Sequence, residues 1–119
     1  MANPNIVATT SIYGRTDVQA VGVSATAITT NASGSGKVYK INSLIVSNVG
    51  GVAGVDVDVS LHRSGVSYHL VKALSVPADS SVVVVGKENP FYLMEGDSIR
   101  IAAGSSNSVH AICSYEEIA

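Results

Sequence analysis

The sequence predicts an all-β protein: a single-domain β-sandwich of about eight strands, jelly-roll or Ig-like, with an extended N-terminal segment. Nineteen valines and nine isoleucines stand against five leucines, and β-branched side chains suit a pleated sheet. Seventeen serines and eleven glycines interrupt the apolar stretches at short intervals, as turns between short strands do. We find no dozen-residue stretch with apolar positions at helical spacing and a cap.

The length of 119 residues suits one domain, 1–119, and no linker or internal repeat divides it. Residues 1–14 contain no charged side chain. This segment is predicted to be an N-terminal arm or an edge strand that pairs with a neighbouring molecule.

The first half of the chain supplies several predicted strands. "NIVATTSIYG" and "AVGVSATAITTN" give two or three of them near the start. "KVYKINSLIVSNVG" (37–50) is apolar on both parities around Leu44 to Val46. That pattern predicts a central strand that is covered on both faces. The Gly-rich segments 31–36 and 48–54 are predicted to be mobile loops.

The clearest strand is "GVDVDVSLH" (54–62), in which apolar and polar residues alternate with the period of a half-buried strand. Ser64-Gly65 follows and predicts a two-residue hairpin turn. In the resulting register Leu61 faces Tyr68 and Val59 faces Leu70, all toward the core. Lys72 would then point inward, so we expect a β-bulge near Val71 to Ala73 that turns it out.

The second half completes the sandwich. "SSVVVVGK" (80–87) is apolar on both parities and is predicted to need a partner on both faces. "DSIRIAAG" and "VHAICSYEEI" alternate and close the domain.

The charge and the distribution of apolar residues argue against several classes of protein. The net charge is −2 and the seven basic residues are scattered, which argues against a nucleic-acid partner. No apolar run approaches the roughly 18 residues of a membrane span, and "MANPNIVATT" lacks the pattern of a secretion signal. We therefore expect synthesis in a cytoplasm and no membrane partner. Only 13% of the residues are charged, which favours surfaces that face other proteins.

The densest charge in the second half is the "MEGDSIR" segment, with Glu95 and Asp97 on either side of Gly96. Two carboxylates this close suggest acid–base chemistry or a metal site. A glycine between them before an alternating strand is more typical of a tight turn, which Asp97 stabilises by accepting backbone N–H groups. We interpret the segment as a strand–corner–strand unit.

The histidines offer a second candidate site. His62 and His69 are expected diagonally on one exposed face of the hairpin, with Asp56 and Asp58 further along the same face. A His/Asp metal site needs a third ligand at fixed spacing, and none is evident. His110 stands alone and is expected at the surface.

Cys113, the only cysteine, cannot form an intrachain disulfide and is expected as a buried thiol. "NASGSGK" has the glycines of a phosphate loop without its spacing or its following helix. The sequence therefore supports no catalytic, cofactor-binding or metal residue, and we expect no enzyme and no cofactor.

Four stretches resemble known proteins: "MANPNIV" with "TSIYG", "SVPADSSVVVV", "FYLMEGDSIRI" and "ICSYEEIA". Together they are similar to a group of small proteins of tailed phages that infect marine cyanobacteria. The resemblance implies a virion structural protein at the capsid surface, made in the host cytoplasm. Its implied role is decoration or cementing of the shell, with the major capsid protein as its partner. The resemblance also implies that the protein forms a homo-oligomer, for which a trimer is one option.

Alternative functions remain open at the level of sequence. A tail, baseplate or fibre component would also be all-β and oligomeric. A receptor- or glycan-binding virion module is a further alternative, although the few aromatic residues and the absence of Trp count against a stacking platform.

Overall fold

The computed structural model describes residues 4–51 and 53–119. In this part of the chain nine strands form two antiparallel sheets packed face to face. The strands are β1 (Ile12–Val21), β2 (Thr26–Thr30), β3 (Val38–Asn48), β4 (Val55–Arg63), β5 (Val66–Val76), β6 (Ser81–Val85), β7 (Phe91–Leu93), β8 (Ser98–Ala103) and β9 (Val109–Ile118). The predicted β-sandwich is confirmed. None of the described residues forms a helix long and apolar enough to cross a bilayer.

The strand order follows a nested pattern. The front sheet runs β1-β9-β3-β6, with β7 also pairing with β3, and the back sheet runs β2-β8-β4-β5. The innermost pair is therefore β4 with β5, followed outward by β3 with β6 and β7, then β2 with β8, and finally β1 with β9. Successive pairs alternate between the sheets, which is the arrangement of a jelly roll. Of the two predicted topologies, jelly-roll and Ig-like, the strand order therefore matches the jelly roll.

The core lies between the sheets and consists mainly of β-branched residues. Its fully buried members come from the inward parity of each strand, as the period-two alternation requires. They include Val21, Ile41, Leu44, Val46, Val57, Val59, Val76, Leu93, Ile99, Ile101, Val109 and Cys113.

Two strands differ from their predicted burial. β3 is central in the front sheet, but its outward residues, among them Ser43 and Ile45, are only half-buried. β6 is an edge strand whose Val83 is largely exposed. The apolar residues on both parities do not reflect cover on both faces. They form part of an exposed apolar surface on the front sheet.

The β4–β5 hairpin turns at Ser64 and Gly65, with φ of 52° and 78°. Positive φ at both central residues identifies the predicted two-residue turn. Leu61 pairs with Tyr68 as predicted, yet Tyr68 is 58% exposed and does not join the predicted core.

Further along the hairpin, β5 carries two register shifts against β4. One lies at the predicted place, where Ala73 has a φ of 52° and Lys72 turns outward to Asp58, 3.3 Å away. The other makes Val59 pair with Val71 instead of Leu70. The predicted Val59–Leu70 pair is therefore wrong, because an extra residue at Leu70 is bulged out of the ladder.

Two buried asparagines organise the loops that join the sheets. Asn31 donates from its amide to the carbonyls of Lys37 and Leu93, at 2.8 and 3.0 Å. Asn48 donates in the same way to the carbonyls of Ala53 and Val76, at 2.8 and 3.0 Å. Each asparagine thereby bonds one carbonyl at the end of a strand and one carbonyl outside the strands, which ties the loop to the sheet.

Candidate functional site

The outer face of the front sheet carries a row of four apolar side chains that crosses four strands. Val18, Ile112, Ile45 and Val83 lie side by side in register on β1, β9, β3 and β6. Val18 is 73% exposed, Val83 61% and Ile112 43%. We call these four residues the apolar row. Isolated apolar residues are common on protein surfaces, but a contiguous row is a mark of an interaction site.

Small polar residues flank the apolar row on both sides. One flanking row contains Thr16, Ser114 and Ser43, and the other contains Ala20, His110, Ser47 and Ser81. None of the eleven residues in the three rows is Asp, Glu, Lys or Arg. Desolvating this face therefore requires no charged group to leave water.

Four of the five hydroxyl groups in the flanking rows bond to each other in pairs. Thr16 and Ser114 are 3.2 Å apart between their oxygens, and Ser47 and Ser81 are 2.8 Å apart. Because these groups already have protein partners, covering them removes fewer hydrogen bonds to water. We call the three rows together the front face. Its composition suits contact with another protein better than free exposure to solvent.

The corner at Glu95 to Asp97 is a structural unit. Gly96 has a φ of 86°, and the Asp97 N–H donates to the Met94 carbonyl at 3.0 Å, which closes the predicted tight turn. The buried Asp97 carboxylate accepts two hydrogen bonds from Arg63, at 2.8 and 2.6 Å, and one from the Met94 N–H at 2.9 Å.

Asp97 accepts a backbone N–H as the sequence predicts, and its carboxylate is buried rather than solvated. Arg63 continues the register in which His62 of β4 pairs with Ser98 of β8. Burial alone would raise the pKa of Asp97, but the hydrogen bonds from Arg63 and Met94 outweigh it and hold the pKa below its ordinary value.

Glu95 is not part of this ion pair. One of its carboxylate oxygens accepts the Gly36 N–H at 3.0 Å, and Gly36 belongs to the loop that follows Asn31. The Asn31 carbonyl accepts the Gly96 N–H at 2.7 Å, so loop and corner hold each other. The two carboxylates of the corner thus serve two different structural contacts.

A second buried carboxylate, Glu117 on β9, joins three elements of the front sheet. It accepts a hydrogen bond from Arg15 at 2.7 Å and from Lys37 at 2.6 Å. The hydrogen bond from Lys37, reinforced by the positive charges of Lys37 and Arg15, lowers the pKa of Glu117 despite its burial. The rings of Tyr39 and Tyr115 stack nearby, with centroids 5.0 Å apart.

The histidines lie where the sequence placed them, on the outer face of the back sheet. His69 pairs with Ser60 and His62 with Ser67, so the two imidazoles are diagonal neighbours. Asp58 on the same face accepts the Ala73 N–H at 2.7 Å. No group of three or more His, Cys, Asp or Glu side chains that could hold a metal converges among residues 4–51 and 53–119. His110 is exposed and belongs to the front face.

Cys113 is fully buried, and its burial raises the pKa of the thiol to about 11. A thiol in this state is protonated near neutral pH and is a poor nucleophile. The loop "NASGSGK" is folded around the Asn31 side chain, whose oxygen accepts the Ser35 hydroxyl at 2.6 Å.

The front face and the buried polar groups were not found from the sequence. The apolar row consists of residues from four strands whose register is set by long-range pairing. A partial signal was present in the apolar residues on both parities of "SLIVS" and "SVVVV". Asn31, Asn48 and Glu117 gave no comparable signal, because an isolated polar residue at a strand end reads as solvated.

Comparison with known proteins relates the chain to a fold only. No family model matches it, and no curated protein is similar enough in sequence to match. A solved chain from Bacillus endospore appendages, described as a novel family of disulfide-linked pili, has a similar structure with a TM-score of 0.56. The likeness covers 99% of this chain and 96% of that one at 15% sequence identity. At this level of identity the similarity shows the shared β-sandwich fold alone.

Proposed function

We propose that this protein is a structural component of a tailed-phage particle that decorates or cements the outer surface of the capsid shell. The observation that carries the proposal is the front face, whose three rows contain no Asp, Glu, Lys or Arg and whose central row aligns three exposed apolar side chains with the half-buried Ile45. The resemblance of four sequence stretches to small phage proteins supplies the particle. The major capsid protein is the proposed partner, and the proposed role is non-enzymatic.

The physical argument starts from the cost of contact. The apolar row gains free energy when covered, and its hydroxyl neighbours lose little because they bond to each other. A contact made by a face of eleven residues gives modest affinity for a single copy. On a shell that presents many identical sites, linked copies bind far more tightly than one, so a modest contact is sufficient.

A subunit of an extracellular or appendage-like filament is the second candidate, favoured by the fold similarity to the Bacillus appendage chain. That chain comes from pili described as disulfide-linked. Cys113 is the one cysteine of the present sequence and is fully buried in the core. A filament built from this chain would therefore hold together through non-covalent contacts.

Binding of the purified protein to shells that lack it tests the proposed role. We expect co-sedimentation of the wild-type protein, and at least a roughly tenfold loss of affinity for Val83→Asp and for the double variant Val83→Asp/Ile112→Asp, because a carboxylate would be desolvated at the contact. The matched control places the same charges on the back sheet, as Ser67→Asp/His69→Asp, and is expected to bind like wild type.

Thermal unfolding of each variant establishes that the fold is retained, and Val83→Asp is the safer variant because its side chain is more exposed. Wild-type binding by both front-face variants would overturn the proposed surface. In purified particles we expect a copy number comparable to that of the major capsid protein. A copy number limited to that of tail components would overturn the capsid assignment in favour of the tail.

A further inference from the structure

The described strands leave four free sheet edges, and three of them carry features that oppose pairing with another chain. β2 spans five residues and has a register shift, and β5 has two register shifts and an outward Lys72. The remaining edge of the front sheet is divided between the short strands β6 and β7. Short length, bulges and lysines are the common protections of exposed strand edges.

The fourth edge, β1, lacks these protections. It is ten residues long, contains no proline, and pairs with β9 over its whole length without a register shift. Among the described strands none pairs with its other side. A long regular edge of this kind is a template for another strand.

The backbone groups that β1 offers can be assigned from its ladder. Ser11 and Ala119 exchange both N–H to carbonyl hydrogen bonds, at 3.2 and 3.0 Å, directly ahead of the regular β1–β9 register. Hydrogen-bonded pairs alternate along an antiparallel ladder. Odd-numbered residues of β1 therefore bond to β9, and the even-numbered residues, Thr16 at their centre, direct N–H and C=O groups to the free edge.

The charges of β1 select the strand that fits this edge. Arg15 and Asp17 flank Thr16 on the inward parity. Arg15 contacts Glu117 through Nε, which leaves the rest of its guanidinium for a further acceptor. Asp17 accepts the Thr29 hydroxyl at 2.9 Å through one carboxylate oxygen, so its second oxygen can accept from a further donor. A second β1, antiparallel and centred on Thr16, sets each Arg15 directly opposite Asp17 of the other copy.

We propose that β1 pairs with β1 of a second copy of this chain across a twofold axis at Thr16. The overlap runs from Ile12 to Ala20, with Gly14 opposite Val18. Thr16 faces its own copy in a hydrogen-bonded pair, and Arg15 faces Asp17 in the intervening pairs, where side chains approach most closely. Two front sheets thereby join into one continuous sheet. This inference does not depend on the capsid role.

A cysteine pair measures both the contact and its register. Directly opposite residues in a hydrogen-bonded pair have Cα atoms about 5.5 Å apart, which is within the range for a disulfide. We expect Thr16→Cys to form a covalent dimer under mild oxidation. Val18→Cys, the matched control on the same face, is expected to remain uncrosslinked, because Gly14 of the other copy lies opposite it. Cross-linking of Val18→Cys instead of Thr16→Cys would overturn the register.

Light scattering on the native chain measures the pairing without a cross-link. We expect a mass of two chains for wild type and for Thr16→Val, and a mass of one chain for Thr16→Pro. The proline removes an N–H that faces the free edge, so the ladder to β9 survives; an unchanged melting curve for Thr16→Pro checks this. A monomeric wild type, or a Thr16→Pro variant that remains dimeric, would overturn the proposal, as would an open-ended series of larger assemblies.

Discussion

Two buried acidic residues, Asp97 and Glu117, form ion pairs that link separate elements of the fold. Asp97 joins the β4–β5 hairpin to the corner before β8 through Arg63, and Glu117 joins β9 to Arg15 and Lys37. Both carboxylates have lowered pKa values in the folded state. A lowered folded-state pKa means that the carboxylate stabilises the fold above its unfolded-state pKa, and that this stabilisation is lost as the pH falls through the folded-state pKa.

Replacement of Asp97 by Asn tests this at one residue. We expect Asp97→Asn to lower the free energy of unfolding by about 2 kcal/mol at pH 7. The amide has only one oxygen to accept the two Arg63 hydrogen bonds, and it carries no negative charge to strengthen them. Below about pH 4 the difference from wild type should narrow, since wild type loses the same contribution on protonation. Urea unfolding at a series of pH values measures both effects.

The control for this series is Glu88→Gln, which removes an exposed carboxylate in the turn after β6. It should follow the wild-type curve within a few tenths of a kcal/mol. A constant gap between Asp97→Asn and wild type across the acid range would contradict the assigned role of the Asp97 charge.

At the scale of elements, most of the strands and turns could be predicted from two local features of the sequence. These are the alternation of apolar and polar residues and the residue types at the turns. The strand at 54–62, the Ser64-Gly65 turn and the bulge next to Lys72 follow from local sequence. The bulge at Leu70 does not, because no glycine, proline or misplaced charge marks that position. The Arg63–Asp97 pair and the apolar row also depend on pairings between strands far apart in sequence, which no single sequence specifies locally.

The loops between the sheets depend on single asparagines. We expect Asn48→Ala to lower the free energy of unfolding by about 2–3 kcal/mol, because the carbonyls of Ala53 and Val76 and the Gly50 N–H lose their bonds to the side chain. Chemical denaturation measures the loss. The control is Asn42→Ala in the same strand, for which the described residues show no side-chain hydrogen bond and a loss below about 1 kcal/mol is expected. Equal losses for both variants would contradict the role of Asn48.

At the scale of the molecule, the sandwich measures 49 × 27 × 20 Å. Pairing through β1 would place two front faces on one side of a continuous sheet, each with its own apolar row. Two linked contacts on one surface raise the local concentration of the second contact once the first has formed. The proposed dimer would therefore strengthen attachment to a shell without any change in the front face itself.

Residues 4–9, ahead of β1, contribute little to this framework. Their described hydrogen bonds are local, such as that from the Ala8 N–H to the Asn5 carbonyl, whereas Thr10 and Ser11 bond to Ala119. We expect deletion of residues 2–9 to change the free energy of unfolding by less than about 1 kcal/mol and to leave the dimer intact. Circular dichroism and light scattering check both outcomes; loss of the folded domain would contradict this account.

The nested order of the jelly roll has a kinetic consequence. The β4–β5 hairpin closes through a two-residue turn. The β1–β9 pair must instead close a loop that contains all the strands from β2 to β8. Loop closure costs entropy, and folding slows as contacting residues lie further apart in sequence. The hairpin is thus suited to form early and β1 to join late. The edge proposed for recognition between copies is then completed only after the rest of the sandwich, so a newly made chain offers it to a partner near the end of folding.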